Sequence, residues 1–279
     1  MPQAASDRCK LYYEAHGAGG EVPLVLVTGL GGSYRGWLPL QVPEFSRERR
    51  VVIFDHRGVG ESGDPGGPFT TADLADDLAG LLTALAIERA DVLGTFLGGM
   101  VAQELALRHP ARVRRLILVG SYARPDAKRR LLLEHWRETA RRGADLALLV
   151  RERLLWTLED TTLEQTDLVE AMMARFQEEG FPMSRDLFMR QCDACLLHDT
   201  HARLGEIHCP TLVAYGRNDQ LTPPKLQREL AEGIPDARPV AFAYGGHLIL
   251  AESAERFHET VRHFLSEANA PSGQGNANK

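Results

Sequence analysis

The fold is decided by the segment Val92-Leu93-Gly94-Thr95-Phe96-Leu97-Gly98-Gly99-Met100. Its first residues, Val92–Gly94, predict a short buried strand, and the residues after the turn predict an amphipathic helix that ends before Pro110. The glycines at 94 and 98 relieve crowding around a central residue that the turn holds in a strained backbone conformation. The side chain of Phe96 is therefore predicted to stand exposed at the top of a sheet.

With serine at the centre, the same spacing is the nucleophile elbow G-x-S-x-G, whose hydroxyl attacks a carbonyl carbon. Here the pattern reads G-x-F-x-G. Phenylalanine has neither a nucleophilic atom nor a proton to give, so an acyl-enzyme at position 96 is excluded. The hydroxyls of Thr95, Ser33 and Ser121 are candidates for the pocket wall, and none is favoured as a substitute nucleophile.

Outward from this segment, short apolar runs alternate with longer helical patterns. This rhythm predicts an α/β fold with a mainly parallel sheet of about eight strands and covering helices. The predicted strands are Leu24–Thr28, Val51–Phe54, Val92–Gly94, Leu116–Val119, Leu212–Tyr215 and Val240–Phe242. Ligands of such sheets bind at the carboxyl ends of the strands, so the chemistry is expected in the turns that follow them.

The strand rhythm stops between about residues 124 and 203, where the chain is helix-like and rich in Arg, Glu, Leu and Met. An insertion of this length between two strands predicts a helical cap over the site. We therefore expect a core in two parts, residues 1–123 and 204–267, with the cap at residues 124–203 between them. Residues 268–279 are rich in Asn, Gly and Ser, which predicts a disordered tail.

Two separate turns supply a carboxylate and a histidine. Asp219 follows the predicted strand Leu212–Tyr215, and His247 ends the sequence Tyr244-Gly245-Gly246-His247 before a helix. A carboxylate that orients an imidazole makes a general base. A surface acid and a helix-capping histidine would be the ordinary interpretation, but the order of the motifs and their places after strands favour a catalytic pair.

Glycine-rich turns raise the question of a cofactor. In Val27-Thr28-Gly29-Leu30-Gly31-Gly32-Ser33 the backbone N–H groups converge on one point, which suits an oxyanion or a phosphate, but Tyr34 occupies the third glycine position of the dinucleotide pattern. Gly58, Gly60 and Gly63 have that spacing, yet residues 64–68 (DPGGP) prevent a helix from starting there. We therefore expect no cofactor.

Taken together, these motifs resemble the α/β-hydrolase superfamily, in the branch of small esterases, enol-lactone hydrolases and C–C bond hydrolases, over about residues 11–265. The resemblance implies that Asp219 is the triad acid and His247 the triad base, with Phe96 at the nucleophile position. It also implies that the N–H groups of Leu30 and Leu97 form the oxyanion hole.

One departure from the family precedes the glycine turn. This chain has Thr28-Gly29 where the family usually has His-Gly. Thr28 and Trp37 join the candidates for the pocket wall.

A His/Asp pair without a nucleophile can still activate water or abstract an acidic proton. We therefore expect an enzyme that acts on a small carbonyl compound of the ester, lactone or β-diketone/enol type, with His247–Asp219 as its general base. Two alternatives stay open. In the first alternative, the chain is an ordinary serine hydrolase inactivated at Phe96. In the second, it is a non-catalytic protein that binds a small molecule on the same fold.

Composition limits the partners. The net charge is −6, so no basic field favours nucleic acid or an anionic membrane. The first residues contain no apolar leader, and no apolar run approaches the ~18 residues of a membrane span. Four cysteines without an export signal predict a reduced, cytoplasmic protein. Cys192 and Cys195 have helical spacing, so no metal is expected, and a homo-oligomer is left open.

Overall fold

Residues 3–5, 9–20 and 22–267 are described by the computed structural model of this protein. The predicted tail, residues 268–279, lies outside the described residues. No helix in the described ranges is long and apolar enough to cross a bilayer.

The sheet is mostly parallel, as predicted. Its strands are β1 Gln3–Ala5, β2 Lys10–His16, β3 Leu24–Val27, β4 Val51–Phe54, β5 Ala90–Thr95, β6 Val113–Val119, β7 Thr211–Gly216 and β8 Ala237–Phe242. They lie in the order β1-β2-β4-β3-β5-β6-β7-β8. Strand β2 is antiparallel to β1 and to β4, whereas the pairs from β4 onward are parallel. The six predicted strands are present, and β1 and β2 were not predicted.

Helices cover the sheet. They are α1 Gln41–Phe45, α2 Thr71–Ala84, α3 Leu97–Arg108, α4 Ala127–Arg141, α5 Leu146–Thr157, α6 Asp160–Leu163, α7 Thr166–Glu179, α8 Arg185–Leu197, α9 Pro224–Gly233, α10 Ile249–Glu252 and α11 Ala254–Ser266. Three short 3₁₀ helices, residues 34–37, 110–112 and 201–206, complete the regular structure of the described ranges.

Both faces of the sheet are buried. Consecutive residues of β5 point to opposite sides, so Val92 packs in one apolar cluster and Leu93 in the other. Helices α2 and α3 contribute to the first cluster and helix α11 to the second. Burial on both faces explains why these strands read as continuous apolar runs rather than as alternating patterns.

The turn from β5 into α3 passes very close to its neighbours. A Cβ atom added at Gly98 would lie 2.1 Å from the carbonyl oxygen of Val27 at the end of β3. A Cβ atom added at Gly94 would lie 2.2 Å from the carbonyl oxygen of Gly98. Only glycine allows this approach, and the approach brings the first turn of α3 to the carboxyl end of the sheet.

The helical insertion, helices α4 to α8, enters the chain between β6 and β7 and lies against the turns at this end of the sheet. Gln191 on α8 accepts a hydrogen bond from the Gly31 N–H (2.9 Å). The carbonyl oxygen of Thr157, at the end of α5, accepts one from the His247 N–H (2.8 Å). The insertion therefore contacts both the glycine turn after β3 and the histidine loop after β8.

The close approach at position 98 is testable. We expect Gly98→Ala to lower the free energy of unfolding by about 1–3 kcal/mol or more, because the added methyl group overlaps a backbone carbonyl that cannot rotate away. The gain in helix propensity, about 1 kcal/mol, is too small to offset this overlap. Urea unfolding measures the change. Gly205→Ala is the matched control, since its Cβ would meet nothing within 4 Å. Equal stability of the two variants would contradict this packing.

Candidate active site

The backbone of Phe96 is fixed at the turn between β5 and α3. Its φ and ψ are 46° and −108°, in the region that favours glycine. Its N–H donates to the Val119 carbonyl (3.1 Å), and its own carbonyl accepts from the N–H of Met100 and the hydroxyl of Ser121 (3.0 Å each). Strand, helix and the segment after β6 thus hold the elbow conformation that the glycine pattern predicted.

Phe96 is 4% exposed, so the prediction of an exposed side chain is wrong. The ring packs edge-to-face against Tyr122 (5.7 Å between centroids) and against the imidazole of His247 (5.6 Å). Where a serine would direct a hydroxyl toward the histidine, this protein presents an aromatic ring.

Asp219 and His247 meet at the carboxyl end of the sheet, on the loops after β7 and β8. Nδ1 of His247 lies 2.9 Å from Oδ2 of Asp219. Thr222 supports the same carboxylate, because its N–H donates to Oδ1 and its hydroxyl donates to Oδ2 (2.7 Å each). An ionised carboxylate only accepts, so Nδ1 donates to it, and Nε2 is the ring nitrogen left to exchange a proton with water or a substrate.

The charge on Asp219 is maintained against its burial. Burial by itself raises the pKa of this carboxyl, but the attraction and hydrogen bond of His247, with the two hydrogen bonds of Thr222, outweigh it. The pKa therefore lies below its ordinary value, and the acid is ionised at neutral pH.

Gly120 sets the position of the imidazole. It has a positive φ of +53°, and an added Cβ would lie 2.7 Å from Cε1 of His247. The ring therefore packs directly on the backbone after β6, where no larger residue fits.

A cavity of about 190 Å³ lies beside the dyad. Its wall is formed by Gly29, Leu30, Gly32, Thr95, Phe96, Trp136, Arg153, Thr157, Leu221, His247, Leu248 and Leu250. The volume is below the ~300–1,000 Å³ typical of sites for drug-sized ligands, so the site suits a small molecule. The structure thus brings His247, Phe96, Leu30 and Thr95 to one cavity.

The two residues expected to supply oxyanion-hole N–H groups lie in the turn after β3 and at the start of α3. Leu30 is in the cavity wall, within the turn that the Gly32 N–H closes onto the Gly29 carbonyl (3.2 Å). Leu97 is the first residue of α3, where N–H groups have no acceptor inside the helix. Such groups are suited to bind a developing negative charge.

Four candidates for the pocket wall lie outside this cavity, which corrects the expectation for them. The hydroxyl of Thr28 accepts from Trp37 Nε1 (2.9 Å), and Trp37 belongs to the apolar cluster on the α11 side of the sheet. Ser121 is fully buried, and its hydroxyl bonds the carbonyl of Phe96. Ser33 lines a neighbouring cavity of about 440 Å³. Sequence patterns place residues at strand ends but do not give the direction of each side chain.

Glu159, in the helical insertion, connects both loops of the dyad. Its carboxylate accepts from the side-chain amide of Asn218 (2.5 Å) and from the N–H of Gly245. Its own N–H donates to Glu252, which also accepts from the N–H of Gly246 (2.8 Å each). The residues next to Asp219 and next to His247 are therefore bound to the same corner of the insertion.

Sequence reasoning missed the supporting residues Thr222 and Glu159. The spacing Asp219-x-x-Thr222, typical of a carboxylate that accepts from a backbone N–H three residues on, is a signal for the first. No local signal marks Glu159. Among the described residues, no group of three or more His, Cys, Asp or Glu could hold a metal ion.

Comparison with known proteins shows the family of this chain. The family model described as alpha/beta hydrolase fold matches residues 22–254. The chain belongs to the α/β-hydrolase family. Its predicted resemblance to that family is therefore confirmed, and the elbow, the acid and the histidine occur in the family's order along the chain.

Similar members of the α/β-hydrolase family have been named. A protein of Azorhizobium caulinodans named "Putative carbamate hydrolase RutD" is 35% identical over 275 residues, which are 96% of this chain and 99% of that protein. A protein of the same name from Caulobacter sp. strain K31 is 35% identical over 265 residues, 92% and 96% of the two chains. The enol-lactonase from Burkholderia xenovorans LB400 has a TM-score of 0.86 at 31% identity, covering 95% of this chain and 100% of that chain.

The lowered pKa of Asp219 predicts a pH dependence of stability. A group whose folded pKa is depressed stabilises the protein above its unfolded pKa, about 3.9, and loses this contribution as the pH falls through the folded value. Asp219→Asn should therefore lower the free energy of unfolding most at neutral pH, with a difference from the unmodified protein that shrinks below about pH 4. Urea unfolding at several pH values measures it. A difference that grows toward acid would contradict the assignment.

Proposed function

We propose that this protein hydrolyses a small carbonyl compound through water activated by the His247–Asp219 dyad, with no covalent intermediate at position 96. The observation that carries the proposal is the 2.9 Å contact between Nδ1 of His247 and Oδ2 of Asp219 beside a cavity that the Phe96 ring also lines. A buried, oriented imidazole suits proton transfer, and Phe96 excludes covalent catalysis at the elbow.

The proposed reaction begins with water held between Nε2 of His247 and the substrate. The water oxygen attacks the carbonyl carbon while Nε2 takes a proton, and the carbonyl π electrons move to the oxygen. The N–H groups of Leu30 and Leu97 stabilise this oxyanion. When the tetrahedral intermediate collapses, the C–O or C–N bond breaks, and the imidazolium returns its proton to the leaving group. Asp219 remains ionised and stabilises the imidazolium.

The names of the relatives support this reaction class. Two are named as carbamate hydrolases and one solved neighbour as an enol-lactonase. Carbamates and enol-lactones share a carbonyl carbon with a heteroatom leaving group, so water attack on either follows the scheme above. We propose a carbamate, an ester or a lactone as the substrate class.

We further propose that the helical insertion, about residues 124–203, acts as a lid on the dyad. Its corner at Thr157 and Glu159 binds the loops of His247 and Asp219, and Trp136 and Arg153 line the cavity. Such a lid excludes bulk water, which strengthens the electrostatic interactions inside the site.

A covalent probe tests the absence of a nucleophile. A fluorophosphonate should leave position 96 unlabelled in the unmodified protein, whereas Phe96→Ser should be labelled, because its hydroxyl would stand at the elbow beside His247. Phe96→Ala is the matched control, since it opens the same space without a hydroxyl. Peptide mass spectrometry locates the label. Labelling of the unmodified protein at another residue, such as Thr95, would show a substitute nucleophile and would contradict direct water attack.

Turnover is measured with a panel of small carbamates, esters and lactones, read out by product mass. We expect at least one member to be hydrolysed by the unmodified protein without any protein adduct. Binding of panel members without product, in a protein whose dyad is intact, would favour the small-molecule binding protein instead.

A further inference from the structure

Arg153 on helix α5 brings a positive charge into the wall of the cavity that also contains His247 and Phe96. Its Nη2 donates to the carbonyl oxygen of Leu30. In the described part of the chain this is the guanidinium's one hydrogen bond, and Nε is buried without an acceptor. The guanidinium therefore keeps donor capacity that no protein group uses.

Among the residues whose side chains the structure describes, no acidic side chain forms an ion pair with Arg153. The residues of the cavity wall include neither Asp nor Glu. The groups that act electrostatically on Arg153 are the buried thiols of Cys192 and Cys195, and burial raises the pKa of Cys192 to about 12, so this thiol is neutral. Burial lowers the pKa of Arg153, yet a guanidinium keeps its charge inside proteins.

Two buried arginines of this protein have a carboxylate partner, whereas a third, Arg115, donates to backbone carbonyl oxygens. Arg57 makes a bidentate pair with Asp77, with nitrogen–oxygen distances of 2.6 and 2.7 Å. Arg129 lies 2.9 Å from the carboxylate of Asp126. Because a partly buried charge with a buried, unsatisfied Nε is unfavourable, an arginine beside the active-site cavity without a carboxylate partner points to an anion supplied from outside.

The geometry around Arg153 holds the guanidinium in place for such an anion. Its Cζ atom lies 5.7 Å from the ring centroid of Trp136 and 5.8 Å from that of Phe188. Aromatic faces on the guanidinium and the hydrogen bond to Leu30 fix its orientation before any ligand arrives. A fixed, planar fork of N–H donors matches the two oxygens of a carboxylate.

We infer that Arg153 binds an anionic group of the substrate, so that the substrate class is a small carbonyl compound bearing a carboxylate, or a carbamate anion itself. This inference rests on the proposed function for the position of the reacting carbonyl, since it places the anion in the same cavity as His247. The cavity of about 190 Å³ limits the substrate to a small anion. Apolar neighbours, among them Leu221 and Leu248, strengthen the attraction by keeping water out.

Binding of acetate against acetamide tests the site without any need for turnover. The two probes have the same shape and differ in charge. The indole N–H signal of Trp136 in a ¹H–¹⁵N NMR titration reports on binding, because Trp136 lines the cavity and stacks on Arg153. We expect the unmodified protein to bind acetate about tenfold more tightly than acetamide, because a hydrogen bond to a charged group contributes about 1.4 kcal/mol more than a neutral one, which is tenfold in the dissociation constant.

Three variants localise the effect. Arg153→Met, which keeps the length of the side chain but not its charge, should remove the preference for acetate. Arg153→Lys should retain part of it, because the charge remains without the fork. Arg151→Met changes an exposed arginine of the same helix and should leave the preference intact. Equal binding of acetate and acetamide by the unmodified protein, or full preference in Arg153→Met, would overturn the inference.

The outcomes separate this inference from the proposed function. Acetate binding through Arg153, together with no hydrolysis of any panel compound, supports the anion site and contradicts the proposed hydrolysis. Hydrolysis of neutral and anionic esters at equal kcat/KM, with acetate binding unchanged in Arg153→Met, supports the hydrolase and overturns the anion site.

Discussion

The hydrogen bond between Asp219 and His247 depends on separate parts of the chain that must meet within a few tenths of an ångström. One loop follows β7, the other follows β8, and each is held by the helical insertion as well as by the sheet. Thr222 donates two hydrogen bonds to the carboxylate, and the imidazole packs on the backbone of Gly120. Glu159 accepts hydrogen bonds from both loops. A buried carboxylate is tolerated only when such partners surround it, so the loss of any one partner destabilises the whole arrangement.

Phe96 is compatible with the elbow because two energies of similar size oppose each other. Its left-handed backbone costs about 1–3 kcal/mol. Burial of a phenylalanine side chain contributes about 1.5–3 kcal/mol, and the edge-to-face contacts with Tyr122 and His247 add to it. A serine in the same conformation would have the strain without this burial. The ring therefore stabilises the turn, and it removes covalent chemistry while leaving the base and its orientation in place.

The sequence was sufficient for the elements whose signal is local. Continuous apolar runs indicated the parallel strands, because strands covered on both faces have no polar alternation, and the strand-end motifs indicated Asp219 and His247. Strands β1 and β2 were not predicted because they lie at the edge of the sheet, where residues such as Glu14 and His16 are polar and partly exposed. Ser121 and Trp37 were misplaced because a turn sequence does not give the direction of a side chain. The role of Arg153 was not predicted because an arginine in a helical sequence is usually solvent-exposed. Only the packing of α5 on the glycine turn places it in the cavity wall.

The central claim is that His247 acts as a general base on water, and the most direct measurement is the rate and affinity of His247→Ala with the hydrolysed compound. The account predicts that kcat falls by about 10²–10⁴-fold, the usual contribution of general-base catalysis. Substrate affinity should stay within a few-fold, because the cavity wall that holds the ligand is otherwise unchanged. Glu134→Ala, at an exposed position of α4, is the control for nonspecific effects of a substitution. Turnover that persists undiminished in His247→Ala would contradict the account.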